Sequence, residues 1–181
     1  MAVYTTVDDQ ALTTFLAAYD LGNLLSFAGI AEGVENSNYL LRTDRAHYIL
    51  TLYEKRVEAD DLPFFMELMT HLSATGIDCP LPVAASDGSI LQQLMGRPCA
   101  IFSFLDGTSS RFPNRDKCRA VGQSLAQMHL NAAGVTRSRV NALGPSSWQM
   151  LLASVGDRAN EIGPSMQQMA QERLDTILRA W

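Results

Sequence analysis

The residues with the clearest chemical potential lie between Gly29 and Arg56. Gly29-Ile30-Ala31-Glu32-Gly33-Val34-Glu35-Asn36-Ser37-Asn38 is a small-residue, polar run that enters an apolar one, Tyr39-Leu40-Leu41. Gly29 and Gly33 relax the backbone, and Glu35, Asn36, Ser37 and Asn38 supply turn-forming polar groups. Thr43-Asp44-Arg45-Ala46 then turns the chain into a second run that begins at Tyr48 and reaches Lys55. A polar loop clamped between two strands can lay backbone N–H groups over phosphate oxygens. The same pattern also fits an ordinary β-hairpin. Side chains alternate along a strand, so Ile49, Thr51, Tyr53 and Lys55 share one side and Tyr48, Leu50, Leu52 and Glu54 the other. Lys55 is thus a cation on the side of Thr51. Glu67, in the helix that follows, reads either as a solvated helix glutamate or as a functional carboxylate.

The elements that must position these residues come next. The chain has 181 residues, about one domain or slightly more. Hydrophobic residues make up 47% and charged residues 18%, which fits a folded chain and argues against disorder. Lys+Arg 14 against Asp+Glu 19 gives a net charge of −5, with no basic stripe, which speaks against nucleic acid as a partner. Cys79, Cys99 and Cys118 are widely spaced, so neither a zinc site nor a disulfide framework is expected, and a reducing cytoplasm is the simple reading. The N-terminus lacks the basic and apolar regions of a signal peptide, and no run approaches a membrane span.

Thr6 is the expected N-cap of a first helix, with Asp8 and Asp9 at its positive end and Leu12, Phe15, Leu16 and Tyr19 on one face. Asp20-Leu21-Gly22 stops it, and a strand is expected at 24–28. Asp60-Asp61-Leu62-Pro63 opens a second helix that carries Phe64, Phe65, Leu68, Met69 and Leu72 and ends near Gly76. A hairpin is expected from 83–85 and 90–94 around Ser86-Asp87-Gly88-Ser89, followed by an apolar strand at 99–105. From there the composition turns helical. Helices are expected at 114–128, with Cys118, Val121, Leu125 and Met128 on one face and His129 closing it, and at 148–155 and 167–180.

This order is α+β and resembles a protein-kinase-like N-lobe, an antiparallel sheet plus a helix, at 1–106. The first helices of a helical C-lobe would occupy 107–181. The residues carry a narrower resemblance. The chain is similar to the front part of homoserine kinases built on the aminoglycoside phosphotransferase and choline kinase fold. The resemblance rests on Phe15-Leu16-Ala17-Ala18-Tyr19-Asp20-Leu21-Gly22, on the Gly29 to Tyr39 run, on Ile49-Leu50-Thr51-Leu52-Tyr53-Glu54-Lys55-Arg56 and on Asp61-Leu62-Pro63-Phe64-Phe65. Leu125-Ala126-Gln127-Met128-His129 extends it, and Glu32-Gly33-Val34-Glu35-Asn36-Ser37-Asn38 is its most specific stretch.

The resemblance implies ATP-dependent phosphorylation of the L-homoserine side-chain hydroxyl, in threonine biosynthesis, with ATP and Mg²⁺ as cofactors. Gly33, Val34, Glu35, Asn36, Ser37 and Asn38 would cover the ATP phosphates through backbone N–H groups. The strand lysine of such kinases falls at Thr51, which is a departure; Lys55 would substitute for it, with Glu67 as its partner. Ser103, Phe104 and Leu105 would form the hinge that reads the adenine edge, and His129 would pack rather than act as a base. The catalytic aspartate of a His-x-Asp-x-x-x-x-Asn loop is absent, since His71 leads into Leu72-Ser73 and His129 into Leu130-Asn131. No Ile-Asp-Phe-like metal segment occurs either. The expectation is therefore a C-terminally truncated kinase chain, inactive alone. Its late apolar residues Met150, Leu151, Leu152, Met166, Met169, Leu174, Ile177, Leu178 and Trp181 would be exposed and favour self-association. The alternatives are a non-catalytic nucleotide-binding or interaction module, and a related small-molecule kinase of the choline or aminoglycoside type.

Overall fold

A computed structural model describes residues 3–54 and 58–181, so Lys55 lies outside the described residues. The chain divides into two compact units, Met1–Ser138 and Arg139–Trp181. The first begins with helix α1 (Asp9–Leu16). Its N-cap is Asp8, whose carboxylate accepts from the Ala11 N–H at 2.7 Å. The cap therefore lies two residues beyond Thr6, because Asp8 is the residue with extended backbone next to the first helical turn.

Strands β1 (Leu24–Gly29), β2 (Ser37–Thr43), β3 (His47–Leu52), β4 (Pro82–Val83), β5 (Gln92–Leu94) and β6 (Arg97–Ser103) form one antiparallel sheet in the order β1-β2-β3-β6-β4. The expected hairpin between 83–85 and 90–94 does not form. β4 and β5 both pair with β6, at Pro82↔Phe102 and at Gln92↔Cys99. The turn at Ser86-Asp87-Gly88-Ser89 is still closed, by the Ala85 N–H donating to the Ser89 carbonyl at 2.8 Å. The physical reason is that β6, apolar along most of its length, recruits partners on both edges. The tight hairpin is β5–β6, through Met95 and Gly96 at φ +53° and +73°.

The strand alternation sorts the core into two layers. Leu41, Leu50, Leu52, Cys99 and Ile101, each 0% exposed, pack on one face with Val7, Leu12, Tyr19 and Leu21. On the other face Tyr53, Ala100 and Phe102 pack with Leu62 and Met66 of helix α2 (Leu62–Ala74), with Ile49 at the margin. Helix α2 buries Leu62, Met66 and Leu72 rather than the expected stripe through Phe64 and Leu68. Phe65 and Met69 sit half-buried at its edge. Pro63 stands in the first turn. Gly76, at φ +88°, follows the end of the helix.

One glycine fixes the join between α1 and the sheet. Gly22 is at φ +82°, and a Cβ there would collide with the Asp44 carboxylate and come within 2.9 Å of Arg45 Cγ. That carboxylate accepts from Asn23 N–H at 2.8 Å and Asn23 Nδ2 at 2.7 Å, and these bonds hold its pKa below the ordinary value. Replacing Gly22 with alanine is expected to cost ~2 kcal/mol or more, from left-handed backbone plus the displaced turn. A thermal melt checks this; an unchanged midpoint contradicts the tight approach.

Helix α3 (Arg115–Ala132) closes the first unit. Asn114 caps it, accepting from the Lys117 N–H at 2.9 Å, and it runs past His129 to Ala132, so His129 does not end it. None of its residues is buried; Cys118, Val121 and Leu125 are exposed and Met128 is half-buried. It is tied to α2 by the His71 imidazole donating to the Asn131 carbonyl at 2.9 Å and by Asn131 Nδ2 donating to the Thr75 carbonyl at 3.3 Å. These ties hold α3 in the first compact unit.

The second unit holds α4 (Pro145–Val155), a 3₁₀ turn at Gly156–Glu161 and α5 (Met166–Ala180). Leu174 and Ala159 are buried in it, and Trp148 meets Trp181 edge-on at 5.7 Å. Met150, Leu151, Met169, Ile177, Leu178 and Trp181 are exposed as expected, whereas Leu152 and Met166 are half-buried and Leu174 is buried.

Candidate functional site

The loop between β1 and β2 is closed at its base by the Ile30 N–H donating to the Asn38 carbonyl at 2.8 Å. Gly33 adopts φ +111°, a conformation other residues rarely take. Val34 and Glu35 are exposed, and Asn36 is half-buried with its Oδ1 buried and without a protein partner among the described residues. The expected 33–38 loop is thus two structures: 33–36 is loop, and Ser37 and Asn38 already belong to β2.

Ser37 is 0% exposed and its hydroxyl is fully engaged. It accepts from the Tyr4 and Thr5 N–H groups at 2.8 and 3.0 Å and donates to Glu54 Oε1 at 2.7 Å. Glu54 Oε2 in turn pairs with Arg97 Nε at 3.2 Å. At 0% exposure, Ser37 is closed to a ligand. Asn38 points to the opposite face, where its Oδ1 accepts from the Thr51 hydroxyl at 2.8 Å. The position expected to carry a lysine therefore holds a neutral threonine–asparagine pair.

Strand register lays out that face. Ala28, Leu40, Ile49 and Phe102 stand in one row across four strands, and Asn38, Thr51 and Ala100 in the next. Adjacent strands are ~4.8 Å apart, so the first row is ~14 Å long. Helix α2 covers the Phe102 end. At the other end Ala28 is exposed and Leu40 and Asn38 are half-buried, so an apolar strip with an amide at its edge lies beside the Gly33 loop. Such a strip can seat a flat ring, and the loop can direct N–H groups at anionic oxygens.

Ser103 ends β6. Its N–H donates to the Leu81 carbonyl at 2.9 Å and its hydroxyl accepts from the Leu81 N–H at 2.9 Å. Phe104 and Leu105 continue past the strand, 39% and 47% exposed, with Phe104 edge-on to His47 at 5.8 Å.

Glu67 is on α2, and its partner is Arg137. Oε2 accepts from Arg137 Nε at 3.1 Å, and Oε1 accepts from the Thr136 hydroxyl at 3.1 Å and the Arg137 N–H at 3.4 Å. The Arg137 bond, ahead of the Thr136 bond, draws the Glu67 pKa below the ordinary value. A folded pKa below the unfolded one stabilises at pH above the ordinary carboxylate range, and that gain fades as pH falls through the lowered value. Glu67→Gln should therefore melt slightly below the parent at pH 7 and with it near pH 3. The pair is solvent-exposed, so the gap is at most about a few degrees. An equal gap at both pH values contradicts the ion pair.

Sequence reasoning missed Tyr4, Thr5, Arg97 and Arg137, which reach the site from distant parts of the chain. Among the described residues no group of three or more His, Cys, Asp or Glu side chains is placed to hold a metal ion. No described helix is long and apolar enough to cross a membrane.

The profile of the phosphotransferase enzyme family, APH, matches residues 26–181. The chain belongs to that family. Within it, the chain is 52% identical to a homoserine kinase of Allorhizobium ampelinum, over 100% of this chain and 56% of that protein. It is likewise 52% identical to one of Granulibacter bethesdensis, over 100% of this chain and 57% of that protein. The chain therefore spans little more than half the length of these curated relatives. Among solved structures it resembles the GDP and kanamycin complex of APH(2")-IIia, with a TM-score of 0.67 and 15% identity over 95% of this chain and 60% of that one. It also resembles a spectinomycin phosphotransferase in complex with ADP and spectinomycin, with a TM-score of 0.61 and 14% identity over 85% of this chain and 48% of that one. At such identities the likeness is one of fold: a kinase-like N-lobe of antiparallel sheet and helix, continued by helices.

Proposed function

We propose that this chain is the nucleotide-binding part of a homoserine kinase, with the lobe boundary after Asp106. ATP lies along the open strip of Ala28 and Leu40, with the backbone N–H groups of Gly33, Val34, Glu35 and Asn36 over its phosphates. The observation that carries this reading is the strip itself, an uncovered apolar row ending at a loop whose Gly33 is in the left-handed region. Fixed backbone dipoles aimed at phosphate oxygens need little reorganisation when charge develops there. The backbone of Phe104 and Leu105, just past Ser103, meets the adenine edge. The resemblance pairs Lys55 with Glu67 on the phosphate side. Glu67 is engaged by Arg137, so within the proposal the Thr51–Asn38 pair is the polar group on the nucleotide face and Lys55 is the candidate phosphate cation.

The acceptor is L-homoserine, supported by relatives about half identical that bear that name. Mg²⁺ neutralises phosphate charge in phosphoryl transfer. None of these 181 residues forms a His-x-Asp-x-x-x-x-Asn segment, so the acceptor hydroxyl has no base here. The reaction belongs to the cytoplasm, where amino acid biosynthesis runs. Calorimetric titration with ATP, beside a coupled assay for homoserine phosphorylation, tests both halves. ATP binding without turnover is the expected result. Homoserine turnover by these 181 residues alone, or no heat with ATP, overturns it.

A further inference from the structure

Residues 3–7, ahead of α1, contact the β1–β2 loop at its tip and at both ends. The Tyr4 and Thr5 N–H groups converge on the buried Ser37 hydroxyl. The Tyr39 hydroxyl accepts from the Val7 N–H at 3.1 Å and donates to the Thr5 carbonyl at 2.7 Å. The Tyr4 hydroxyl reaches the loop tip, donating to the Val34 carbonyl at 3.1 Å. Val3 lies on Gly29, where an added Cβ would stand 2.7 Å from Val3 Cγ2. Ser37 is itself anchored through Glu54, whose side chain is 8% exposed, to Arg97.

We propose that residues 3–7 are a strap that sets the position of the 30–36 loop, which makes Tyr4 and Ser37 positioning residues for nucleotide binding. The inference rests on the reading that ATP lies under this loop. The strap crosses the hairpin from Gly29 to Tyr39 and grips it at three places: backbone amides on Ser37, backbone groups on Tyr39, and a phenol on Val34. The last grip alone touches the residues that face the phosphates. A loop fixed before binding loses less freedom on binding, so its release weakens affinity without touching the ligand. The glycine at 29 follows from the same arrangement, because Val3 occupies the space of a side chain.

The test uses two readouts on the 181-residue chain. One is the rate of cleavage after Glu32 and Glu35 by a glutamate-specific protease, with no nucleotide present. The other is the ATP dissociation constant by titration. Tyr4→Phe removes only the phenol bond, and should speed loop cleavage and weaken ATP binding each by ~2- to 10-fold, the scale of one neutral hydrogen bond. Ser37→Ala should do more, while cleavage after Glu172 in the second unit stays at the parent rate. Parent-like loop cleavage in Tyr4→Phe overturns the strap. Faster cleavage with parent-like ATP affinity overturns the positioning role. If the parent chain itself binds no ATP, the nucleotide reading fails, and the cleavage rates still decide whether the strap exists.

Discussion

Truncating Leu50 to alanine is expected to destabilise the first unit by ~3 kcal/mol, within the 2–5 kcal/mol seen for buried leucines. Leu50 is 0% exposed, and its strand pairs on both sides, with β2 at Tyr39 and β6 at Ile101. The lost methyl groups leave a void between Tyr39, Leu41 and Ile101, which rigid strands cannot close. Directly behind it, on the opposite face, stand Ile49 and Thr51. The informative comparison is Leu40→Ala. Leu40 is half-buried on the proposed nucleotide strip. It should cost less stability, about 1 kcal/mol, yet weaken ATP binding more than Leu50→Ala does once the folded fraction is accounted for. Urea unfolding and ATP titration of the two variants give both numbers. Equal binding losses would remove the distinction between a core face and a ligand face.

The second large effect is expected at Arg97. Replacing it with methionine leaves the Glu54 carboxylate, 8% exposed, with its Ser37 hydroxyl bond and no ion-pair partner among the described residues. Breaking a buried pair from one side costs more than removing both partners. Arg97 is 35% exposed, so water screens part of the loss, and ~2 kcal/mol is the expected cost. Adding Glu54→Gln should return roughly half of it, since the stranded charge is then gone. Thermal and urea melts of the single and double variants check the sign. A double variant less stable than Arg97→Met would refute the view of Glu54 as a buried charge in need of a partner.

Legibility followed the range of the interactions. The two faces of β3 were readable because alternation is a local property, and Leu50 and Leu52 do face one core while Ile49 and Tyr53 face the other. The turn-rich character of 33–36 was readable because glycine and asparagine declare backbone geometry. The start of β2 was not, because Ser37 earns its place through Tyr4, 33 residues earlier, and Glu54, 17 later. Its hydroxyl looked like loop chemistry and is scaffold. Glu67 was singled out by its place on the helix, but its partner Arg137 is 70 residues away and no pattern announces it. The β4–β5 error has the same origin: a good turn at Asp87-Gly88 marked a reversal, and β6 captured both arms. Thr6 is the cap the sequence suggests, with Asp8 only a charge at the helix's positive end; the backbone makes Asp8 the cap.

The most direct test of the central claim is hydrogen exchange of the 181-residue chain with and without saturating ATP. Amides of 30–36 and of 103–105 should slow on ATP addition, while α4 and α5 keep their rates. Slowing confined to other segments, or none at all at saturating ATP, would contradict a nucleotide seated under the Gly33 loop.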